Sequence, residues 1–364
     1  MVENMLHRYT VFFVACALPL LITGQIAPNM AYQLDFWLMW LLAMVLVGLP
    51  VLFAELALSA RSAALPWQGI QKLTREADAG MIWRAFAALS VLVAVLLAAG
   101  IASRIAVGVA AQFSELVRQA GVPMMAMSAV VMAVALILSL LRVRLLFVGT
   151  LLVIFGAMLS LLDSAVSVPL LTEPSLGEWS QAVLLALLSV GAGSGLYWFG
   201  SATIANNVMQ AKKPLAGYIL PIWLTQLIFG ALAILAGSAM IGVPSFLVSS
   251  VGMLLIAAFL LHYAGVQLVL RFGLLTGVLV LVLLAFALSV VPMQFLVIAV
   301  IFISLLAVLC LAIFSGFVMK ISHLRKTFNM KTELRYNIWR VLVRIIVPLA
   351  VVAALAGVVL ELVA

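Results

Sequence analysis

Long apolar runs separated by short polar stretches dominate the chain. Runs such as 91–101 and 274–290 are apolar almost throughout, without alternation of polar and apolar positions. Membrane-spanning β-strands would carry polar residues at every second position, whereas a helix that crosses a bilayer needs about 20 consecutive apolar residues. The pattern therefore predicts an all-α polytopic membrane protein with about eleven membrane-spanning helices.

The ends of the apolar runs give the approximate limits of these helices, which we number as spans 1 to 11. The predicted spans cover residues 9–30, 36–60, 81–112, 123–141, 145–162, 179–206, 215–241, 251–270, 273–291, 295–321 and 338–363. A polar stretch, 61–80, separates spans 2 and 3. The whole chain, 1–364, is predicted to form a single transmembrane domain.

Composition and charge agree with this reading. Hydrophobic residues make up 67% of the chain and charged residues 8%, against about a quarter charged in a soluble domain. The formal net charge of +8 comes from basic residues in the short connections between spans, an arrangement that sets membrane orientation. With the N-terminus in the cytoplasm, all but two of the 19 basic residues, Arg104 and Arg118, lie on the cytoplasmic side.

This distribution predicts a multi-pass protein of the inner (plasma) membrane. We expect membrane lipids as partners, with their headgroups at the basic cluster 320–344, and no nucleic acid. The oligomeric state stays open. The three histidines lie far apart, and there is no phosphate-binding loop of the GxxxxGK[ST] type. The sequence therefore predicts no enzyme, no metal site and no cofactor.

A glycine-rich segment interrupts span 6. Residues 187–200 read LLSVGAGSGLYWFG, with Gly191, Gly193 and Gly195 inside an otherwise apolar helix. Each glycine costs about 1 kcal/mol in a helix interior, and a helix broken at mid-membrane exposes backbone groups that hold an ion or a zwitterion. Close helix packing through small residues at a spacing of four is the alternative interpretation. Both interpretations stay open at this stage.

Two ionisable residues lie inside predicted spans. Glu55 is near the cytoplasmic end of span 2, and His262 is in the middle of span 8. An ionisable group inside a membrane is costly and usually has a partner within the bundle. Glu55 is a candidate partner for broken-helix backbone or a protonatable site, and otherwise a residue that reaches the interface. His262 is a candidate proton carrier, and otherwise a hydrogen-bonded core residue.

Three segments together resemble the neurotransmitter:sodium symporter family. Residues 47–61 (VGLPVLFAELALSAR) resemble its second helix, 187–201 its sixth, and 335–349 (RYNIWRVLVRIIVPL) the start of its eleventh. The resemblance implies the LeuT fold, in which two inverted five-helix repeats hold the substrate between broken helices 1 and 6. Here the repeats would be 9–162 and 179–321, followed by the extra C-terminal helix 338–363.

The resemblance also implies which residues contact the substrate. The candidate substrate-binding residues are Ala15, Ala17 and Pro19 in span 1, and Ser189, Val190, Gly191 and Gly193 in span 6. Span 1 is expected to unwind between Ala15 and Pro19, since proline interrupts the helical hydrogen bonds. Glu55 matches the glutamate that bonds the broken region of helix 6.

The chain departs from the family at the ion and gate positions. Leu20 replaces a sodium-binding asparagine, and Gln267 and Leu268 replace the adjacent sodium ligands of helix 8. Thr23 and Gln294 replace the arginine and the acidic residue of the outer gate. The loss of both gate charges together agrees with this alignment, and the sodium ligands are not retained.

Two functions are compatible with these observations. The first is secondary transport of a small organic solute, such as an amino acid or an amine, by alternating access. Its coupling to sodium is in doubt, and coupling to protons through His262 or Glu55, or uncoupled exchange, has comparable support. The second is a transporter-derived membrane sensor or assembly partner that no longer transports.

Overall fold

The fold comes from a computed structural model whose elements are helices. It describes residues 2–27, 30, 33–163, 171, 173, 175–191, 193–200, 214–237, 242–330 and 332–363.

We number the helices α1 to α14 in chain order. They are α1 Val2–Ile26, α2 Leu34–Ser62, α3 Pro66–Glu76, α4 Met81–Gln112, α5 Ser114–Ala120, α6 Met124–Leu141, α7 Arg144–Asp163, α8 Leu176–Val190, α9 Ala216–Ala236, α10 Val243–Phe272, α11 Leu274–Ser289, α12 Met293–Val318, α13 Ile321–Phe328 and α14 Glu333–Leu360. A short 3-10 helix, Leu196–Gly200, follows α8.

The described helices confirm a polytopic helical membrane protein. Within the described ranges, nine helices are long and apolar enough to cross a membrane, and two shorter apolar ones, α8 and α11, occupy predicted spans 6 and 9. Span 6 was predicted to continue to residue 206, which lies outside the described residues. Several helices begin before the predicted span, α14 at Glu333 and α10 at Val243, because hydropathy detects the part in lipid rather than the end of the helix.

Burial separates inner helices from outer ones. In the most apolar stretch of α4, 78% of the residues are buried inside the bundle, against 22% in α6. Helix α10 approaches α7 closely through Gly149 and Gly252, where a methyl group on either glycine would lie 2.8–2.9 Å from the carbonyl oxygen of the other. Such small-residue contacts let helices associate in lipid, where no hydrophobic force drives them together.

Helix α1 corrects one expectation from the family resemblance. Residues Val2–Ile26 form one continuous α-helix with Pro19 inside it, so the predicted unwinding between Ala15 and Pro19 is wrong. Proline removes only one backbone donor from the helix. In the next turn, the Thr23 hydroxyl donates a hydrogen bond to the Pro19 carbonyl oxygen at 2.7 Å. Every further unwound residue would need its own partner inside the bundle, and this favours an intact helix.

A polar cluster lies between α2, α3 and α13. Arg61 Nε donates to Glu76 Oε1 at 2.9 Å, and His323 Nδ1 lies 2.7 Å from the same oxygen. Partial burial alone would raise the pKa of Glu76, but hydrogen bonding from Arg61 and the charges of Arg61, His323 and Lys72 bring it below its ordinary value. The cluster therefore favours ionised Glu76.

This cluster predicts acid sensitivity. Because the pKa of Glu76 is lowered on folding from 4.5, its contribution is present above pH 4.5 and is lost as the pH falls through the folded value. We expect Glu76→Gln to lower the free energy of unfolding by about 1 kcal/mol at neutral pH, the upper end for partly exposed pairs. The difference between wild type and variant should disappear on acidification.

Thermal denaturation of both proteins in detergent across pH 3–8 measures this effect. Glu115→Gln is the matched control, because Glu115 pairs with Arg118 on an exposed helix and should have no measurable effect. A constant difference between wild type and Glu76→Gln at every pH would contradict an electrostatic contribution from Glu76.

Candidate functional site

Helix α8 breaks inside the bundle at its glycines. The helix ends at Val190, and Gly191, Gly193 and Gly195 have φ angles of +67°, +84° and +71°. Glycine adopts these left-handed conformations without the steric cost that a side chain brings. Of the two sequence interpretations, the broken helix is therefore the one observed, although Gly191 also provides a close contact.

The backbone groups freed by the break find partners inside the protein. The Val190 carbonyl oxygen accepts hydrogen bonds from the Tyr197 hydroxyl at 2.6 Å and from Gln226 Nε2 at 2.9 Å. The Gly191 carbonyl oxygen accepts from the Ser194 amide at 3.1 Å. These bonds replace the helical ones that the break removes, because backbone groups inside a membrane bundle need hydrogen-bond partners.

Glu55 supports the break from the neighbouring helix α2. Its side chain is fully buried, and Oε2 accepts a hydrogen bond from the Gly193 amide at 3.0 Å. The two residues are 138 positions apart, so the bond depends on how α2 packs against the end of α8. A carboxyl group here bonds the unwound backbone and is also a site that can hold a proton.

A small cavity of about 10 Å³ lies beside the break. Its lining residues are Leu18, Ile22, Val93, Leu97, Leu188, Gly191, Ser194 and Ser304. This volume holds about one water molecule. The Leu18 side chain limits the space, because a methyl group on Gly191 would lie 2.1 Å from Leu18 Cδ1. In the described part of the chain, the buried Ser304 hydroxyl has no hydrogen-bond partner, so this wall offers a polar group.

The candidate substrate-binding residues do not all line this cavity. Gly191 lines the cavity. Gly193 does not line it, and its amide donates a hydrogen bond to Glu55. The Ser189 hydroxyl lies 4.0 Å from Met44 Sδ and faces α2 instead. Ala15, Ala17 and Pro19 are buried in α1 on either side of Leu18, and Val190 contributes its carbonyl oxygen to the bonds described above. Their roles in binding stay predictions.

The two gate positions have different surroundings. Thr23 is buried, with its hydroxyl bonded to the Pro19 carbonyl oxygen of its own helix. Gln294 is exposed in the first turn of α12. Their role as a gate also stays a prediction.

The positions that the family resemblance assigns to sodium ligands, and His262, have mostly apolar or hydrogen-bonded surroundings. Leu20 and Leu268 are buried and carry no oxygen on their side chains. Gln267 Oε1 accepts a hydrogen bond from the Trp67 amide at 3.0 Å, which ties α10 to α3. His262 is half-buried, and its ring centroid lies 6.1 Å from that of Phe199.

Three residues near the site were missed by the sequence interpretation. Ser304 was not distinguishable from any other serine in an apolar helix, and Gln226 was not considered. Arg104 was assigned to the outer end of span 3, but only 7% of it is exposed and Nη1 donates to the Leu21 carbonyl oxygen of α1 at 3.2 Å. Its position within an apolar run was a usable signal, since a basic residue at that depth usually faces the bundle interior.

Comparison with known proteins identifies the fold. No family model and no curated protein matches the sequence. The chain is similar to the crystal structure of MhsT in complex with L-phenylalanine, with a TM-score of 0.68, 15% identity, and coverage of 96% of this chain and 98% of that chain. The likeness is one of fold. The protein therefore has the LeuT fold, which the resemblance to the symporter family had implied.

Proposed function

We propose that the protein is a secondary transporter that moves a small organic solute by alternating access. The observation that carries this proposal is the helix break at Gly191–Gly195, bonded by Glu55 and placed beside a cavity with the Ser304 hydroxyl in its wall. Broken helices at mid-membrane are where transporters bind solutes. A protein that only held its neighbours together would gain nothing from a break that needs several compensating hydrogen bonds.

The cavity walls favour a compact solute with an apolar part and a hydrogen-bonding group. Leucine, isoleucine and valine side chains form most of the lining, and Ser194 and Ser304 add hydroxyls. MhsT, which shares the fold, was crystallised in complex with L-phenylalanine, and this supports an amino acid or a related amine. Leu18 has to move before such a solute fits, because the cavity holds about one water molecule.

The coupling ion is the second part of the proposal. Sodium prefers hard oxygen ligands, which Leu20 and Leu268 do not supply from their side chains. Proton coupling through Glu55 or His262, and exchange without coupling, are therefore the two alternatives that we favour over sodium. An imposed proton gradient distinguishes the two, because it accelerates proton-coupled uptake and does not affect uncoupled exchange.

Uptake by proteoliposomes containing the full-length protein tests the proposal. We expect uptake of at least one apolar amino acid or amine above that of protein-free vesicles, accelerated by a proton gradient if transport is proton-coupled. Leu18→Ala enlarges the cavity and should lower the KM for a bulkier solute about tenfold, the scale on which a few methylene groups act in an apolar pocket.

Leu275→Ala is the matched control, because Leu275 is 83% exposed on α11 and lies away from the cavity. An identical solute preference in wild type and Leu18→Ala would remove the cavity from the proposal. Uptake driven by a sodium gradient alone would contradict the expected coupling.

Two observations favour a second candidate function, a sensor or assembly partner that no longer transports. Helix α1 is continuous through Pro19, and Leu18 occupies the space next to Gly191. Thermal-shift measurements against the same solutes distinguish the candidates. Stabilisation without uptake indicates a sensor, and no response to any solute indicates an assembly partner.

A further inference from the structure

A groove on the lipid-facing side of the bundle is far larger than the central cavity. Its volume is about 360 Å³, and it lies between α2, the start of α9 and the start of α14. Residues from all three helices form it, among them Val45, Pro50, Leu220, Arg335, Ile338 and Trp339. It shares no lining residue with the cavity beside the helix break.

The groove opens toward the cytoplasmic leaflet. Arg335 lies in the first turn of α14, and Pro50 lies on α2 between its midpoint and Arg61 at its cytoplasmic end. The basic residues of the chain gather on this side. The groove therefore runs from the basic end of the bundle, where Arg335 lies, toward the middle of α2, where Val45 lies.

The walls of the groove suit an acyl chain. Val45, Leu220 and Ile338 are 45%, 46% and 52% exposed on helices long and apolar enough to cross a membrane, so their side chains are available to lipid. Two lining residues are bonded to each other across helices, because Trp339 Nε1 of α14 donates to the Pro50 carbonyl oxygen of α2 at 3.0 Å. A preformed apolar groove binds a chain without having to order its own walls first.

The rim of the groove supplies one positive charge. Arg335 is exposed, and within the described ranges no acidic side chain pairs with it. A polar recess of about 150 Å³, lined by Thr332 and Tyr336, adjoins the groove and shares Met330 with it. Glu333 also lines this recess, but it is already paired with Arg325. The cation at the rim therefore favours an anionic headgroup over a zwitterionic one.

We propose that this groove binds one anionic phospholipid of the cytoplasmic leaflet, with an acyl chain between α2, α9 and α14 and the phosphate at Arg335. Basic pockets between membrane helices on the cytoplasmic side recognise lipid headgroups in this way. This lipid site does not depend on the proposed transport, because other residues on another face of the bundle form it.

Native mass spectrometry of the delipidated full-length protein tests the proposal with phosphatidylglycerol and phosphatidylcholine of identical acyl chains. We expect one phosphatidylglycerol to bind with an affinity at least about fivefold above that of phosphatidylcholine. Arg335→Gln should abolish this preference, because it weakens binding of phosphatidylglycerol more than that of phosphatidylcholine, in which the choline cation already neutralises the phosphate. Arg75→Gln, which removes an exposed cytoplasmic arginine on α3, is the matched control and should retain the preference.

Two further arms test the acyl-chain part. Val45→Trp and Leu220→Trp place bulk at exposed positions of the groove wall, so both variants are expected to fold and to lose binding of both lipids. Glycerol 3-phosphate, which has no acyl chain, should not bind. Retained phosphatidylglycerol preference in Arg335→Gln, unchanged binding in both tryptophan variants, or equal binding of glycerol 3-phosphate would overturn the proposal.

Discussion

Replacement of Gly193 by alanine is expected to abolish solute uptake and to lower the free energy of unfolding by about 2–5 kcal/mol. The φ angle of +84° is strained for any residue with a side chain. A methyl group would also lie 3.0 Å from the Val308 amide nitrogen and 3.2 Å from the Ser304 carbonyl oxygen. Both are backbone atoms of α12, which cannot rotate away as a side chain could. The break would have to shift and would move the Gly193 amide away from Glu55.

Gly217→Ala is the control for this substitution. Gly217 lies in the first turn of α9, with open space around the position of an added methyl group. The Gly217→Ala variant should keep uptake, and its free energy of unfolding should rise by up to about 1 kcal/mol, because alanine is the better helix former. Melting temperature in detergent and uptake by proteoliposomes measure both variants. Equal stability and uptake in Gly193→Ala and the wild type would mean that the geometry of the break is not required.

Replacement of Glu55 by alanine should reduce uptake at least tenfold and lower the free energy of unfolding by about 3 kcal/mol. The Gly193 amide would lose its hydrogen-bond acceptor, and a buried backbone donor without an acceptor is costly. Glu55→Gln retains a carbonyl oxygen for the same amide, so most of the stability should return. Glu115→Ala, on an exposed helix, serves as the control.

The glutamine variant separates two roles of Glu55. If the carboxyl only positions the broken helix, Glu55→Gln keeps both gradient-driven uptake and solute exchange. If it carries the coupling proton, the variant keeps exchange but loses acceleration by a proton gradient, because an amide does not titrate. Normal stability in Glu55→Ala would show that the bond to Gly193 does not hold the break together.

The membrane architecture was predictable from the sequence because it follows from local composition. A helix that contacts lipid needs a long apolar run, and the connections carry the charges, so spans could be counted without any tertiary contact. For the glycine segment, the sequence predicted where span 6 is unusual but not whether the helix breaks there. The spacing of Gly191 and Gly195 is compatible with a break or with close packing, and the choice depends on the bond that the Gly193 amide makes to Glu55 of another helix.

The sequence by itself therefore determined the class of fold, the approximate spans and the position of the interruption in span 6. Only the tertiary structure decided that α1 stays helical through Pro19, that Leu18 closes the cavity, and that Ser304 lies in its wall. The reason is physical. Apolar runs act through the surrounding lipid and are visible locally, whereas buried backbone groups and cavities depend on partners far apart in the chain.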